Sequence, residues 1–121
     1  MSSNKVFQDI DKVYQDVIEW RRYLHQNPEL SFHEHHTAQY VYDILESFGG
    51  FELSRPTKTS VLARIKGAKP GKVIALRADM DALPIQEETN LPFASVHEGI
   101  MHACGHDGHT AMLLGAAKII K

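Results

Sequence analysis

The feature that most constrains the fold of this chain is the apolar run Lys72–Ala78, which has the sequence KVIALRA and ends in charge. A short, mostly apolar run of this kind is typical of a strand that is buried on both faces of a sheet. Lys69, Pro70 and Gly71 form a turn signal just before it. The sequence therefore predicts a central strand over residues 72–78, around which the other elements must be arranged.

Helical periodicity dominates the first half of the chain. Apolar residues at helical spacing predict a first helix over residues 5–26. This helix must end before Pro28, because proline disfavours helical geometry in the residue that precedes it. Ser31 and Glu34 have the spacing of a capping box, and they predict a second helix that runs to about Phe48.

Shorter elements flank the predicted central strand. Short strands are expected at residues 51–54 and 60–66, a loop with two prolines at 79–102, and a helix rich in alanine and leucine at 107–121. The order α-α-β-β-β-loop-α predicts a layered α/β domain. No strand follows the last helix, so the predicted sheet is incomplete. Its uncovered edge predicts a homo-oligomer, since unpaired edges invite pairing.

Length and composition restrict the class of protein. The 121 residues correspond to one domain or to part of one. The 13 Lys and Arg residues are balanced by 15 Asp and Glu residues, which argues against a nucleic-acid partner. No apolar run approaches the roughly 18 residues of a membrane span, and the polar N-terminus lacks a secretory signal. The single cysteine, Cys104, excludes an intramolecular disulfide. We therefore expect a cytoplasmic protein with no membrane partner.

Two carboxylates follow the predicted central strand. Asp79 and Asp81 are two positions apart, and in extended backbone such side chains point the same way, so we expect them to converge. Open α/β sheets place ligands at the carboxyl ends of their strands. Two neighbouring carboxylates repel each other unless a cation or a shared proton lies between them. A solvated acidic turn is the alternative interpretation, and these residues alone leave both open.

The segment His102–His109, with the sequence HACGHDGH, concentrates the residue types that bind metals. Cys104 and His106 offer a thiolate and an imidazole, which suit zinc and related transition metals, and they either bind one ion or face two. Three other polar residues of the segment are predicted to orient these ligands without binding the metal themselves: His102, Asp107 and His109. The alternative is a buried structural cysteine with incidental histidines.

The remaining histidines give weaker patterns. The segment His33–Thr37 does not match a zinc-binding helix, because Thr37 stands where the second histidine is required. His33 and His36 are therefore predicted to lie on a solvated helix face. His25 ends the first helix, where an imidazolium suits the helix dipole.

Three stretches taken together resemble the peptidase M20 family: residues 21–41, 75–95 and 101–120. The nearest branch contains amidohydrolases of N-acyl amino acids, such as hippurate hydrolases, auxin-conjugate hydrolases and N-acetyldiaminopimelate deacetylases. The resemblance implies a zinc-peptidase-like α/β/α catalytic domain and hydrolysis of the amide bond of small N-acyl amino acids or peptides. It also implies two divalent metal ions in a complete site, either zinc, manganese, cobalt or nickel.

The resemblance further implies roles for individual residues. Cys104 and His106 match metal ligands, and either Asp79 or Asp81 matches the catalytic acidic residue that steers a ligand. The family's general base, a glutamate in a Glu-Glu pair, and its later histidine ligands have no counterpart in this sequence, and neither has its inserted dimerisation domain. We therefore expect residues 1–121 to be the N-terminal part of a metallohydrolase catalytic domain, inactive alone.

Two other classes of protein remain open at this point. One is a free-standing binding or regulatory module that keeps part of a metal site and has no catalytic activity. The other is a structured remnant with no activity of its own. Stoichiometric metal in the purified protein would count against the remnant.

Overall fold

The structure, a computed structural model, describes residues 3–121, which form three helices and two short strands. Their bounds are Ser3–Gln26 for α1, His35–Phe48 for α2, Glu52–Ser54 for β1, Leu62–Arg64 for β2 and His106–Ile120 for α3. The strands pair antiparallel, with Leu53 opposite Ala63. Within residues 3–121, no helix combines the length and the apolar character that crossing a membrane requires.

The core lies where α2 and α3 meet. Val41, Leu45 and Leu114 are buried at its centre. Further apolar side chains from the helices and strands pack around these three: Trp20, Ile44, Phe48, Leu53, Val61, Ala63, Met80 and Ala117. Helix α1 adds the buried Val13 and Leu24. The helical spacing of apolar residues thus packs α3, whose first residue is the predicted ligand His106, against the core.

The close approach of α1 to α3 depends on Gly115. A Cβ atom at this position would lie 2.7 Å from Cγ2 of Val17. Gly115→Ala is therefore expected to lower the free energy of unfolding by about 1–3 kcal/mol, as in other overpacked cores. Urea unfolding followed by circular dichroism measures the change.

Gly108 provides the matched control, since it lies in the same helix and a Cβ there would meet no atom within 4 Å. Gly108→Ala is expected to leave stability unchanged or to raise it by up to about 1 kcal/mol, because alanine favours the helix. An equal loss of stability in both variants would contradict the packing explanation.

The predicted helices and the two short strands form, with altered bounds. Helix α1 covers the predicted residues 5–26, and α3 covers most of 107–121. The strands predicted at 51–54 and 60–66 shorten to β1 and β2, and most of residues 79–102 form a loop as expected. The mixed helix and sheet class is therefore confirmed.

The predicted central strand over residues 72–78 is wrong. This segment has no regular secondary structure, and Val73, Ile74 and Leu76 are 93%, 84% and 61% exposed. A buried strand requires neighbouring strands that bond its backbone and layers that cover its apolar side chains. Within residues 3–121 the sheet consists of β1 and β2, which pair only with each other. A strongly apolar sequence does not form a strand without those partners.

The predicted capping of α2 by Ser31 is also wrong. Glu34 occupies the N-cap position, and its side chain makes no capping hydrogen bond. Instead the Glu29 carboxylate accepts hydrogen bonds from the backbone N–H groups of His36, at 3.2 Å, and Thr37, at 2.6 Å. This carboxylate satisfies otherwise unpaired donors and also suits the positive end of the helix dipole.

Candidate metal centre

Two tertiary contacts bring the segment that contains Asp79 and Asp81 to the start of α3. Leu83 and Met101 exchange backbone hydrogen bonds of 2.9 and 3.0 Å, which joins the two ends of the long loop. The Thr110 hydroxyl, one turn into α3, donates a 3.0 Å hydrogen bond to the backbone carbonyl of Asp79. Because Thr110 is buried, this contact holds the acidic segment against the helix.

Asp79, Asp81 and His106 form a cluster in which one potential ligand atom of each lies within 4.8 Å of the others. Nδ1 of His106 is 2.9 Å from Oδ1 of Asp81 and 3.1 Å from the Asp81 carbonyl oxygen. Both of these oxygens are acceptors, so Nδ1 carries the ring proton and donates it. In the neutral imidazole this leaves Nε2 with the lone pair that a metal requires.

The two carboxylates of this cluster have different surroundings. Asp79 is exposed, and its Oδ1 accepts from Nε of Arg77 at 2.9 Å and lies 2.9 Å from a terminal nitrogen of the same guanidinium. Asp81 is half-buried and contacts His106 instead. Asp81 is therefore the carboxylate that orients the imidazole, whereas Asp79 is partly neutralised by Arg77.

Cys104 lies beside this cluster. Its thiol sulfur is 3.9 Å from the Asp81 carbonyl oxygen, the same atom that Nδ1 of His106 approaches. Gly105 separates the two residues and has a φ of 94°, a left-handed conformation that glycine adopts without strain. The turn at Gly105 thus directs the thiol and the imidazole towards the same backbone carbonyl, and the thiol remains exposed.

The chemistry of this donor set fits a divalent transition metal. Imidazole and thiolate are ligands of zinc and related ions, and carboxylates complete such sites. The two carboxylates also repel each other at this separation, which a bound cation would relieve. The residues present therefore fit the metal that the resemblance implies.

His102 and His109, both predicted to orient the ligands, occupy different environments. His102 is 4% exposed, and neither of its ring nitrogens has a hydrogen-bond partner among the described residues. Burial lowers the pKa of His102 and outweighs the opposite effect of the Asp107 carboxylate, so its imidazole is neutral. His109 is exposed, with its ring centroid 5.9 Å from that of His106.

Asp107 bonds to α1, in a buried ion-pair network. It is 2% exposed, and its Oδ2 accepts from Nε of Arg21 at 2.9 Å and lies 2.8 Å from Nδ1 of His25. Burial by itself would raise the pKa of Asp107. The hydrogen bonds from His25 and from the Gly108 N–H, together with the charge of Arg21, outweigh burial and hold that pKa below its usual value.

The network continues through His25 to Glu87. The side chains of both residues are 3% exposed, and Nε2 of His25 lies 3.0 Å from Oε1 of Glu87. Burial would raise the pKa of Glu87, but hydrogen bonds from Thr89, Ser95 and His25 outweigh it and lower that pKa. Since both ring nitrogens of His25 face carboxylate oxygens, only an imidazolium donates to both.

Sequence reasoning missed the network that joins His25 and Glu87. It assigned His25 to the dipole of α1 and gave Glu87 no role. The available signal was position, because both residues lie within the family-like stretches 21–41 and 75–95. His33 and His36 are exposed as predicted, but only His36 lies in α2, because the helix begins at His35.

The chain is similar in sequence to known proteins and to a family profile. Residues 75–121 match the profile of peptidase family M20/M25/M40. The chain is 65% identical, over 98% of its length, to an N-acyl-L-amino acid amidohydrolase from Geobacillus stearothermophilus, of which it covers 32%. It is 46% identical, over 96% of its length, to thermostable carboxypeptidase 1 of Saccharolobus solfataricus, of which it covers 30%.

A solved structure supports the same relationship. The protein is a dinuclear metal-binding peptidase of the M20 family from Bacillus subtilis, with a TM-score of 0.85 and 51% identity. The match covers 89% of this chain and 31% of that one. The chain thus spans about a third of the length of the curated relatives that it matches. By sequence and by fold, the chain resembles members of peptidase family M20/M25/M40.

Proposed function

We propose that this chain supplies part of the two-metal centre of an amidohydrolase, which cleaves the amide bond of N-acyl amino acids or small peptides. The observation that carries the proposal is the cluster of Asp79, Asp81 and His106 with the Cys104 thiol beside it. The substrate class rests on the relatives, one an N-acyl-L-amino acid amidohydrolase and another a carboxypeptidase. We also place the protein in the cytoplasm, because an exposed metal-binding thiolate requires a reducing compartment.

The geometry suggests a distinct role for each side chain. Nε2 of His106 and the sulfur of Cys104 would hold a divalent ion, for which zinc, manganese, cobalt and nickel are candidates. When bound, such an ion polarises the scissile carbonyl and lowers the pKa of bound water. Asp81 accepts a hydrogen bond from Nδ1 of His106, which fixes the ring and makes Nε2 a better ligand. We therefore assign the steering role to Asp81 rather than to Asp79.

The 121-residue chain is expected to bind a divalent metal but not to hydrolyse substrate alone. The described cluster holds three potential ligands with one thiol beside it, whereas a two-metal centre also requires bridging and base residues. Calorimetric titration with Zn²⁺, Mn²⁺ or Co²⁺ measures binding, and release of the free amino acid from N-acetyl and N-benzoyl amino acids measures turnover.

The outcomes of this experiment are distinct. Metal binding without turnover supports the proposal. Absence of metal binding contradicts the assignment of the centre. Turnover that Cys104→Ser abolishes would contradict the expectation that the chain is catalytically incomplete.

A further inference from the structure

His25 lies between two parts of the chain that the metal centre depends on. It occupies the last turn of α1, next to Leu24, which is 1% exposed, so its backbone is held by the core. Nδ1 of His25 faces Asp107, at the start of α3, and Nε2 faces Glu87, in the long loop. A single buried side chain thus bridges two buried carboxylates from separate segments.

The contact of His25 with Asp107 connects His25 to the proposed metal ligands. Asp107 directly follows His106, and its Oδ1 accepts a 2.8 Å hydrogen bond from the backbone N–H of Gly108. The first turn is closed by a 3.0 Å bond from the His109 N–H to the Gly105 carbonyl. A contact that holds the Asp107 carboxylate in place therefore also fixes the backbone of the adjacent His106.

The contact of His25 with Glu87 holds the long loop against the end of α1. Oε1 of Glu87 accepts a 2.9 Å hydrogen bond from the Ser95 N–H, and the next amide, that of Val96, donates to the Gln26 carbonyl at 2.9 Å. The Phe93 ring lies edge-on to His25, with centroids 5.7 Å apart. These contacts tie the loop to the end of α1.

We propose that His25 is a positioning residue. Through Asp107 it fixes the backbone of the turn Cys104–His106, and through Glu87 it holds the long loop against α1. We call these two contacts the latch. The predicted effect of His25 on metal binding rests on the proposed function. The latch itself is a property of the fold and has its own readout. Each contact holds its own segment, because a buried carboxylate that loses its hydrogen-bond donor is left unsatisfied.

Two substitutions at His25 distinguish its contact with Asp107 from its contact with Glu87. The amide nitrogen of asparagine reaches about as far as Nδ1 of histidine, and that of glutamine about as far as Nε2. His25→Asn therefore keeps the contact with Asp107 and loses that with Glu87, whereas His25→Gln does the reverse. His33→Gln, at an exposed position, is the matched control.

The experiment combines cobalt titration with amide hydrogen exchange on the 121-residue chain. In His25→Gln we expect roughly tenfold weaker Co²⁺ binding, as for other groups that orient ligands, and an altered thiolate-to-cobalt absorption band at saturation. Exchange should accelerate at Gly108 and His109 in this variant, and at Ser95 in His25→Asn. Amides of α2 should be unaffected in both, which a general loss of stability would not produce.

Several results would overturn the inference. One is identical behaviour of His25→Gln and His25→Asn, and another is behaviour like that of His33→Gln. Failure of the wild-type chain to bind Co²⁺ through Cys104 would contradict the proposed function, while the exchange pattern of the metal-free variants would still decide on the latch. If neither variant folds, NMR of the wild-type His25 ring decides, since the latch requires protons on both ring nitrogens at neutral pH.

Discussion

Replacing Cys104 by serine is expected to weaken the binding of Co²⁺ or Zn²⁺ by roughly 100-fold or more, since even groups that only orient ligands cost about 10–100-fold. The substitution changes one atom and exchanges a thiolate for a neutral hydroxyl, which is a poor ligand for these ions. Because Cys104 is exposed and lies at a turn outside the core, the variant should keep its fold. The loss of affinity would then report the metal site alone.

The single thiol of the chain makes this measurement direct. Metal bound at Cys104 should protect the wild-type protein from a thiol reagent, and the metal concentration that gives half protection reports the affinity. Ala103→Ser places the same hydroxyl on the neighbouring exposed residue and should bind metal as the wild type does. Wild-type affinity in Cys104→Ser would remove Cys104 from the ligand set.

Replacing Glu87 by glutamine is expected to lower the free energy of unfolding at neutral pH by about 2–3 kcal/mol, the range for losing a buried, hydrogen-bonded charge. The Glu87 side chain is 3% exposed and accepts hydrogen bonds from His25 and Ser95. Glutamine keeps the shape but replaces the carboxylate that faces Nε2 of His25 with a neutral amide. Urea unfolding at pH 7 measures the loss.

The same variant gives a pH dependence with a definite sign. The folded-state pKa of Glu87 is lowered, so between that value and the unfolded value, about 4.3, the unfolded chain binds more protons. The stability contributed by the carboxylate is fully present above about pH 4.3 and is lost as the pH falls through the folded-state pKa. The difference in stability between wild type and Glu87→Gln should therefore shrink as the solution is acidified.

Glu88→Gln is the matched control for this measurement. Glu88 is the adjacent residue and is exposed, so neutralising it should change stability by no more than about 0.5 kcal/mol. A loss in Glu87→Gln no larger than in Glu88→Gln would show that the buried ion pair contributes nothing. A difference that stays constant down to low pH would assign the effect to packing instead of charge.

Most of the prediction of the candidate metal centre rested on the residue types within short segments. Cys104 and His106 are candidate ligands because thiolates and imidazoles bind metals, and Asp79 and Asp81 are candidates because of their spacing of two. Our proposal of Asp81 over Asp79 for the steering role rests on the structure, in which Arg77 pairs with Asp79 and Asp81 faces His106. Which partner an acidic group finds depends on segments distant in sequence.

The helices, the two short strands and the exposure of His33 and His36 follow from the sequence, because periodicity and turn signals act over a few residues. Tertiary structure decided what depends on distant partners. The apolar run Lys72–Ala78 remains without strand structure, since a strand exists only through the neighbours that bond it. His25, which local rules assign to a helix dipole, becomes a buried bridge because α1, α3 and the long loop bring Asp107 and Glu87 to its two nitrogens.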